Sequence, residues 1–168
     1  IVQGITLTGA TIHCASAELK QRDNRYAQIM AYRGGGVFDA GDFVFATFDL
    51  EAGTVVATST SAVCGIEQGA GGRWLAWLLF TYVAVPTNPY VGIYAGTAAG
   101  DTTAPSSVGA GQELLEIDEI QVEEGSNPTS RIRTTSAAVT RPEDVVRVTG
   151  SAFSAFWNAS AGSLVLRG

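Results

Sequence analysis

"RWLAWLLFTYVAV" (residues 73–85) is the stretch that decides the fold. Side chains of a β-strand alternate between its two faces, so Trp74, Leu78, Phe80 and Tyr82 share one face and Leu75, Trp77, Leu79 and Val83 the other. Neither face is polar. One face can pack in the core of a two-sheet sandwich, but the second needs a cover of its own. That cover is a bound sugar stacked on an aromatic ring, a neighbouring subunit, or the chain's own tail. The run is also shorter than the roughly 20 apolar residues a membrane-spanning helix requires, and no membrane insertion is expected.

Working outward, "GDFVFATFDLEAG" (41–53) places Phe43 and Phe45 on one side and Val44, Ala46 and Phe48 on the other, the pattern of a strand inside a sheet. Short apolar segments broken by Gly, Asp and Asn continue in both directions, with no sustained helical period. The expected strands are 3–8, 11–15, 26–33, 43–50, 54–60, 62–68, 74–84, 90–96 and 113–123. "GTAAGDTTAPSSVGAG" (96–111) is a loop of small residues. In "ELLEIDEIQVE" (113–123), Leu115 and Ile117 share one face while Ile120 and Val122 share the opposite one. A β-bulge near Asp118 and Glu119 would bring all four inside.

Composition agrees with an all-β domain. The 168 residues are 46% hydrophobic and only 15% charged, with 20 glycines. Residues 1–124 carry five basic and fourteen acidic side chains, whereas residues 125–168 carry five and two. A basic tail thus follows an acidic body, whose field opposes nucleic-acid binding and invites the tail to pair with carboxylates. Cys14 and Cys64 lack metal-ligand spacing and read as reduced thiols rather than a bridge. His13 is the only histidine; adjacent to Cys14 in a strand, it points to the opposite face and cannot activate that thiol. "RGGGVF" (33–38) is a turn that opens no helix, so no phosphate loop is present.

The strongest motif is "QVEEGSNPTSRIRTTSAAVTRPEDV" (121–145). Together with the strand order before it, this stretch resembles the carbohydrate-binding-module-like jelly-roll domains of tailed-phage structural proteins: tail fibres, head fibres and related appendages. There a last strand ending in a "QLEEG"-like sequence leads into a "TSYIPT...TRAADV"-like arm. Arg131 stands where that family usually has Tyr, and Arg133 where it has Pro, so what those positions pack against differs here. "SAFSAFWNASAGSLVLRG" (151–168) resembles the opening of a further β domain, and the natural chain is expected to extend further.

Three segments follow: a jelly-roll β-sandwich of two antiparallel sheets (1–124), an extended connector arm (125–148) and a β segment (149–168). The arm has too few large apolar residues to fold alone. Pro128 and Pro142 favour extended backbone before them, and Arg131, Ile132, Arg133, Arg141 and Val145 are its assembly residues; the competing reading is a disordered linker. Glycan-binding candidates are Trp74, Trp77, Tyr82, Tyr90 and Tyr94. The resemblance implies a structural calcium near Asp118, against a bulge residue bonded to nearby amides; one strand cannot supply the roughly six to eight oxygens calcium takes.

The expected function is a non-enzymatic structural and adhesive virion component assembled in the host cytoplasm. It would be a trimer, contacting other virion proteins and without a cofactor. The alternatives are a module that recognises a host-surface glycan, and a glycan-degrading tailspike fragment. The tailspike reading has acidic residues in number but no distinctive spacing for a carboxylate pair.

Overall fold

The computed structural model describes residues 2–4, 11–32, 43–60, 62–81, 90–96, 98–100 and 112–131. The chain divides into two compact units, residues 1–133 and 134–168, and the described residues all lie in the first.

Nine strands build that unit: β1 (Val2–Gly4), β2 (Ile12–Gln21), β3 (Tyr26–Tyr32), β4 (Phe43–Asp49), β5 (Thr54–Thr58), β6 (Val63–Gln68), β7 (Trp74–Thr81), β8 (Tyr90–Gly96) and β9 (Leu115–Glu124). They form a five-stranded sheet in the order β1-β8-β3-β4-β5 and a four-stranded sheet in the order β6-β7-β2-β9. Every pairing is antiparallel. The only helical element among the described residues is one 3-10 turn, Ala70–Gly72. The expected all-β sandwich of two antiparallel sheets is what forms. The outer strands nest, β9 on β2 and β8 on β3, while β4–β5 and β6–β7 pair as hairpins.

The strand limits follow local chemistry. β4 ends at Asp49, whose Oδ1 accepts the amides of Glu51 and Ala52 while its carbonyl accepts that of Gly53. Gly53 takes φ +66, a conformation that costs other residues a clash of Cβ. β2 runs six residues past its expected end. "AELKQ" keeps alternating, with Ala17 and Leu19 buried, Glu18 and Lys20 half-exposed, and register held against β7 as far as Leu19 and against β9 as far as Gln21.

The core lies between the sheets. One sheet contributes Ala27, Ile29, Ala31, Val44, Ala46, Phe48, Val91 and Ile93; the other contributes Ala15, Ala17, Leu19, Ala76, Leu78 and Phe80. The expected phase of "RWLAWLLF" holds: Ala76, Leu78 and Phe80 are buried, whereas Leu75, Trp77 and Leu79 are half-buried on the outer face. His13 stacks on Phe80 on the core side, with ring centroids 5.6 Å apart, while Cys14 takes the other side. Both cysteines are free. Cys64 pairs with Leu78 and Cys14 with Leu79, which puts the thiols on opposite faces, and burial, then Glu123, pushes the Cys14 thiol up to about 12.

The bulge sits where the change of phase placed it. Residues 118–121 of β9 oppose only Ser16–Glu18 of β2, and Glu119 is the one described non-glycine residue with positive φ, +48. Leu115, Ile117 and Val122 pack against the core as a result. Ile120 corrects the expectation: it stays 36% exposed beside the bulge.

Candidate functional site

The outer face of the five-stranded sheet holds a cluster of aromatic residues. Alternation sends Ala27, Ile29 and Ala31 of β3 to the core, so Gln28, Met30 and Tyr32 face away from it. Register places Tyr32 directly between Phe43 of β4 and Tyr90 of β8. The next rows are Met30 between Phe45 and Gly92, and Gln28 between Thr47 and Tyr94. Tyr32 is 45% exposed and Tyr90 40%, enough to offer ring surface to a ligand.

Tyr94 lies over the sheet itself. A Cβ built on Gly92 would come within 2.5 Å of Tyr94 Cε2 and 2.7 Å of its hydroxyl oxygen, so the ring rests on the bare glycine backbone two residues earlier on the same strand. Burial, and secondarily Tyr32, pushes the Tyr94 phenol above its ordinary range. Beneath the cluster the sheet is firm. Gln28, Met30, Phe45 and Thr47 are buried on this face also, and Gln28 Nε2 donates to Thr47 Oγ1 at 3.1 Å. A ring seated on inner strands whose neighbours are fixed is the arrangement that stacking on a pyranose face requires.

Of the five glycan-binding candidates, the structure brings Tyr90 and Tyr94 together. The described tryptophans lie elsewhere. The Trp74 indole closes over the β4–β5 turn, where Nε1 donates to Leu50 O at 2.7 Å and a Cβ on Gly53 would come within 2.6 Å of Cζ3. Trp77 lies on the outer face of the other sheet, over its cross-strand partner Gly65, with Nε1 buried and unpartnered. Tyr82 lies outside the described residues. Tyr32, absent from the sequence-based candidates, joins the cluster; its signal was its place two residues beyond Met30 in an alternating strand, legible only once the core phase of β3 was known.

Asp118 is exposed at the bulge. Among the described residues no group of three or more His, Cys, Asp or Glu side chains could hold a metal ion. Several of the acidic residues bond within the fold. Asp49 receives Arg25 through Nε at 2.9 Å and Nη2 at 2.6 Å, and Glu116 bridges Arg22 and Arg73. Arg25 holds the Asp49 carboxyl below its ordinary 3.8, against burial and with help from the turn amides. Desolvation pushes Glu116 up, but the bonds from Arg73 and Arg22 outweigh it and the net shift is downward.

Arg131, named above as an assembly residue of the expected arm, pairs within its own chain. Its guanidinium reaches the Glu119 carbonyl, with Nε 3.4 Å from the Glu119 carboxylate and 3.5 Å from that of Glu18. Two residues earlier, the Thr129 amide and hydroxyl bond Glu123 at 2.8 and 2.5 Å. Ile132, Arg133, Arg141 and Val145 lie outside the described residues. No family model matches the chain, and no curated protein matches it.

Proposed function

We propose that this chain is a non-enzymatic, structural and adhesive component of a tailed-phage particle, a fibre or decoration protein, whose sandwich binds host-surface glycan on the Tyr32–Tyr90–Tyr94 face. The observation that carries the glycan reading is the Tyr94 ring seated on Gly92 beside two exposed tyrosines. A sugar's apolar C–H face stacks on such a ring while its hydroxyls meet the phenols and water. The virion assignment rests on the resemblance of residues 121–145, and the homotrimeric assembly on the half-buried Leu75, Trp77 and Leu79 together with Val63, 57% exposed, on the outer face of the four-stranded sheet.

The test is a glycan array on the assembled protein, followed by titration of the best ligand against Tyr94→Ala, Tyr90→Ala and Tyr32→Ala. Each is expected to weaken binding about fivefold with the fold intact, since one stacked ring contributes on the order of 1 kcal/mol. Trp77→Ala is expected to leave sugar affinity unchanged. A specific signal that survives all three tyrosine substitutions would overturn the assignment of the face. Native mass measurement of the full-length product tests the copy number.

A further inference from the structure

The bulge and the first turn of the arm satisfy each other. A bulge leaves backbone groups of the longer strand without ladder partners. Here the left-handed residue is Glu119, and its carbonyl accepts from the Arg131 guanidinium. The chain reaches that position by reversing at Gly125, φ +150, whose amide donates to Ile12 O at 2.9 Å. It then returns antiparallel to β9. Thr129 meets Glu123 and Gln121, and Arg131 meets Glu119, so the residue numbers converge as in a hairpin, although side chains make the contacts. Glu123 and Gln121 pair with Cys14 and Ser16, which lie on the outer face, and Glu18 shares that face. The returning segment therefore lies over the sheet side that the core does not use, and the Arg131 side chain is only 16% exposed there.

We propose that residues 125–131 form a latch, with Arg131 as its positioning residue, and that the sandwich ends at this latch and not at the end of β9. The bulge is then the receptor for Arg131. The point at which the chain leaves the sandwich is fixed over β2 and β9 by Glu18 and Glu119.

The test is trypsin digestion of the full-length protein, with cleavage positions read by mass spectrometry, because trypsin must take the Arg131 side chain into its own pocket. The Arg131–Ile132 bond is expected to resist cleavage in the native protein. In Glu18→Gln, cleavage there should accelerate about tenfold, as expected when one charge-assisted contact to a locally opening segment is lost. The thermal midpoint of the sandwich should stay put. Hydrogen exchange over 126–131 supplies a second reading: Arg131→Ala should exchange freely there with β3 and β4 still protected, and Arg131→Lys should restore part of the protection. Cleavage after Arg131 as fast in the native protein as in a peptide of the same sequence would overturn the latch, as would unchanged exchange in Arg131→Ala.

Discussion

Trp74 and Tyr94 show how two rings of similar polarity take opposite roles because of the glycine each meets. Gly53 lies under the Trp74 indole in a turn, and the indole N–H is consumed by Leu50 O, which leaves that ring holding β4, β5 and β7 together. Gly53→Ala would combine a strained positive φ with a clash against the indole. It is expected to cost about 2–4 kcal/mol, read as a lowered urea midpoint with an unchanged slope. Gly92→Ala probes the other ring. It should lift Tyr94 off the sheet and weaken sugar binding about as much as Tyr94→Ala, though the aromatic residue is retained. Sequence reasoning found Tyr90 and Tyr94 but placed them beside Trp74, because alternation tells which residues share a face and not which rings are exposed. The Trp74 bond to Leu50 O joins residues 24 positions apart, and nothing in the local pattern announces it.

The strands themselves were legible. Turn residues such as Asp49 and Gly53 bound them, and in β7 buried and half-buried side chains alternate. β2 was cut short because Glu18 and Lys20 look like a turn until Ala17 and Leu19 are read as its inward half. The bulge was legible for a different reason: Ile117 and Val122 cannot both face the core without one extra residue between them. Glu119→Val should cost about 1–3 kcal/mol, because a β-branched residue resists the left-handed conformation. Asp118→Val at the exposed neighbour should change stability by less than about 0.5 kcal/mol, both measured by chemical unfolding. Strand order was not legible, since it depends on contacts between distant segments. One consequence of that order is that, among the described strands, β5 and β6 both lie at edges, and residues 54–66 contain no charge and no proline. Edges are ordinarily guarded by such residues. Val56→Lys, at an exposed edge position of β5, should slow aggregation on heating, seen by light scattering, with stability held within about 0.5 kcal/mol.

From neutral pH downward, the shifted groups of the sandwich act in one direction. His13 is held below its ordinary 6.5 mainly by burial, against opposing contributions from Thr11 and Glu124, and Asp49 and Glu116 are held below their ordinary carboxylate values. A group whose value is depressed by folding binds more protons when unfolded, so stability rises with pH through its range. Stability should therefore be full between about pH 7 and 8, begin to fall below that as His13 becomes protonatable in the unfolded chain, and fall further below about pH 4 as the carboxylates do, whereas the raised Cys14, Cys64 and Tyr94 lower it in the alkaline range. Urea midpoints from pH 8 to pH 3 measure this. His13→Gln should remove the upper limb of the decline, and Asp49→Asn should flatten the lower one at the expense of stability at neutral pH.

The pairing of β2 with β9, and of β3 with β8, also sets the order in which the molecule can come into being. Cys14 meets Glu123 across about a hundred residues of intervening chain, so the four-stranded sheet cannot be completed until nearly all of the sandwich has left the ribosome, and the five-stranded sheet waits for β8. A nascent chain halted at β8 would hold the β3–β4 and β6–β7 hairpins with β2 bare on one side. Refolding from denaturant should accordingly be slow for the protein's size and governed by closure of these distant strands.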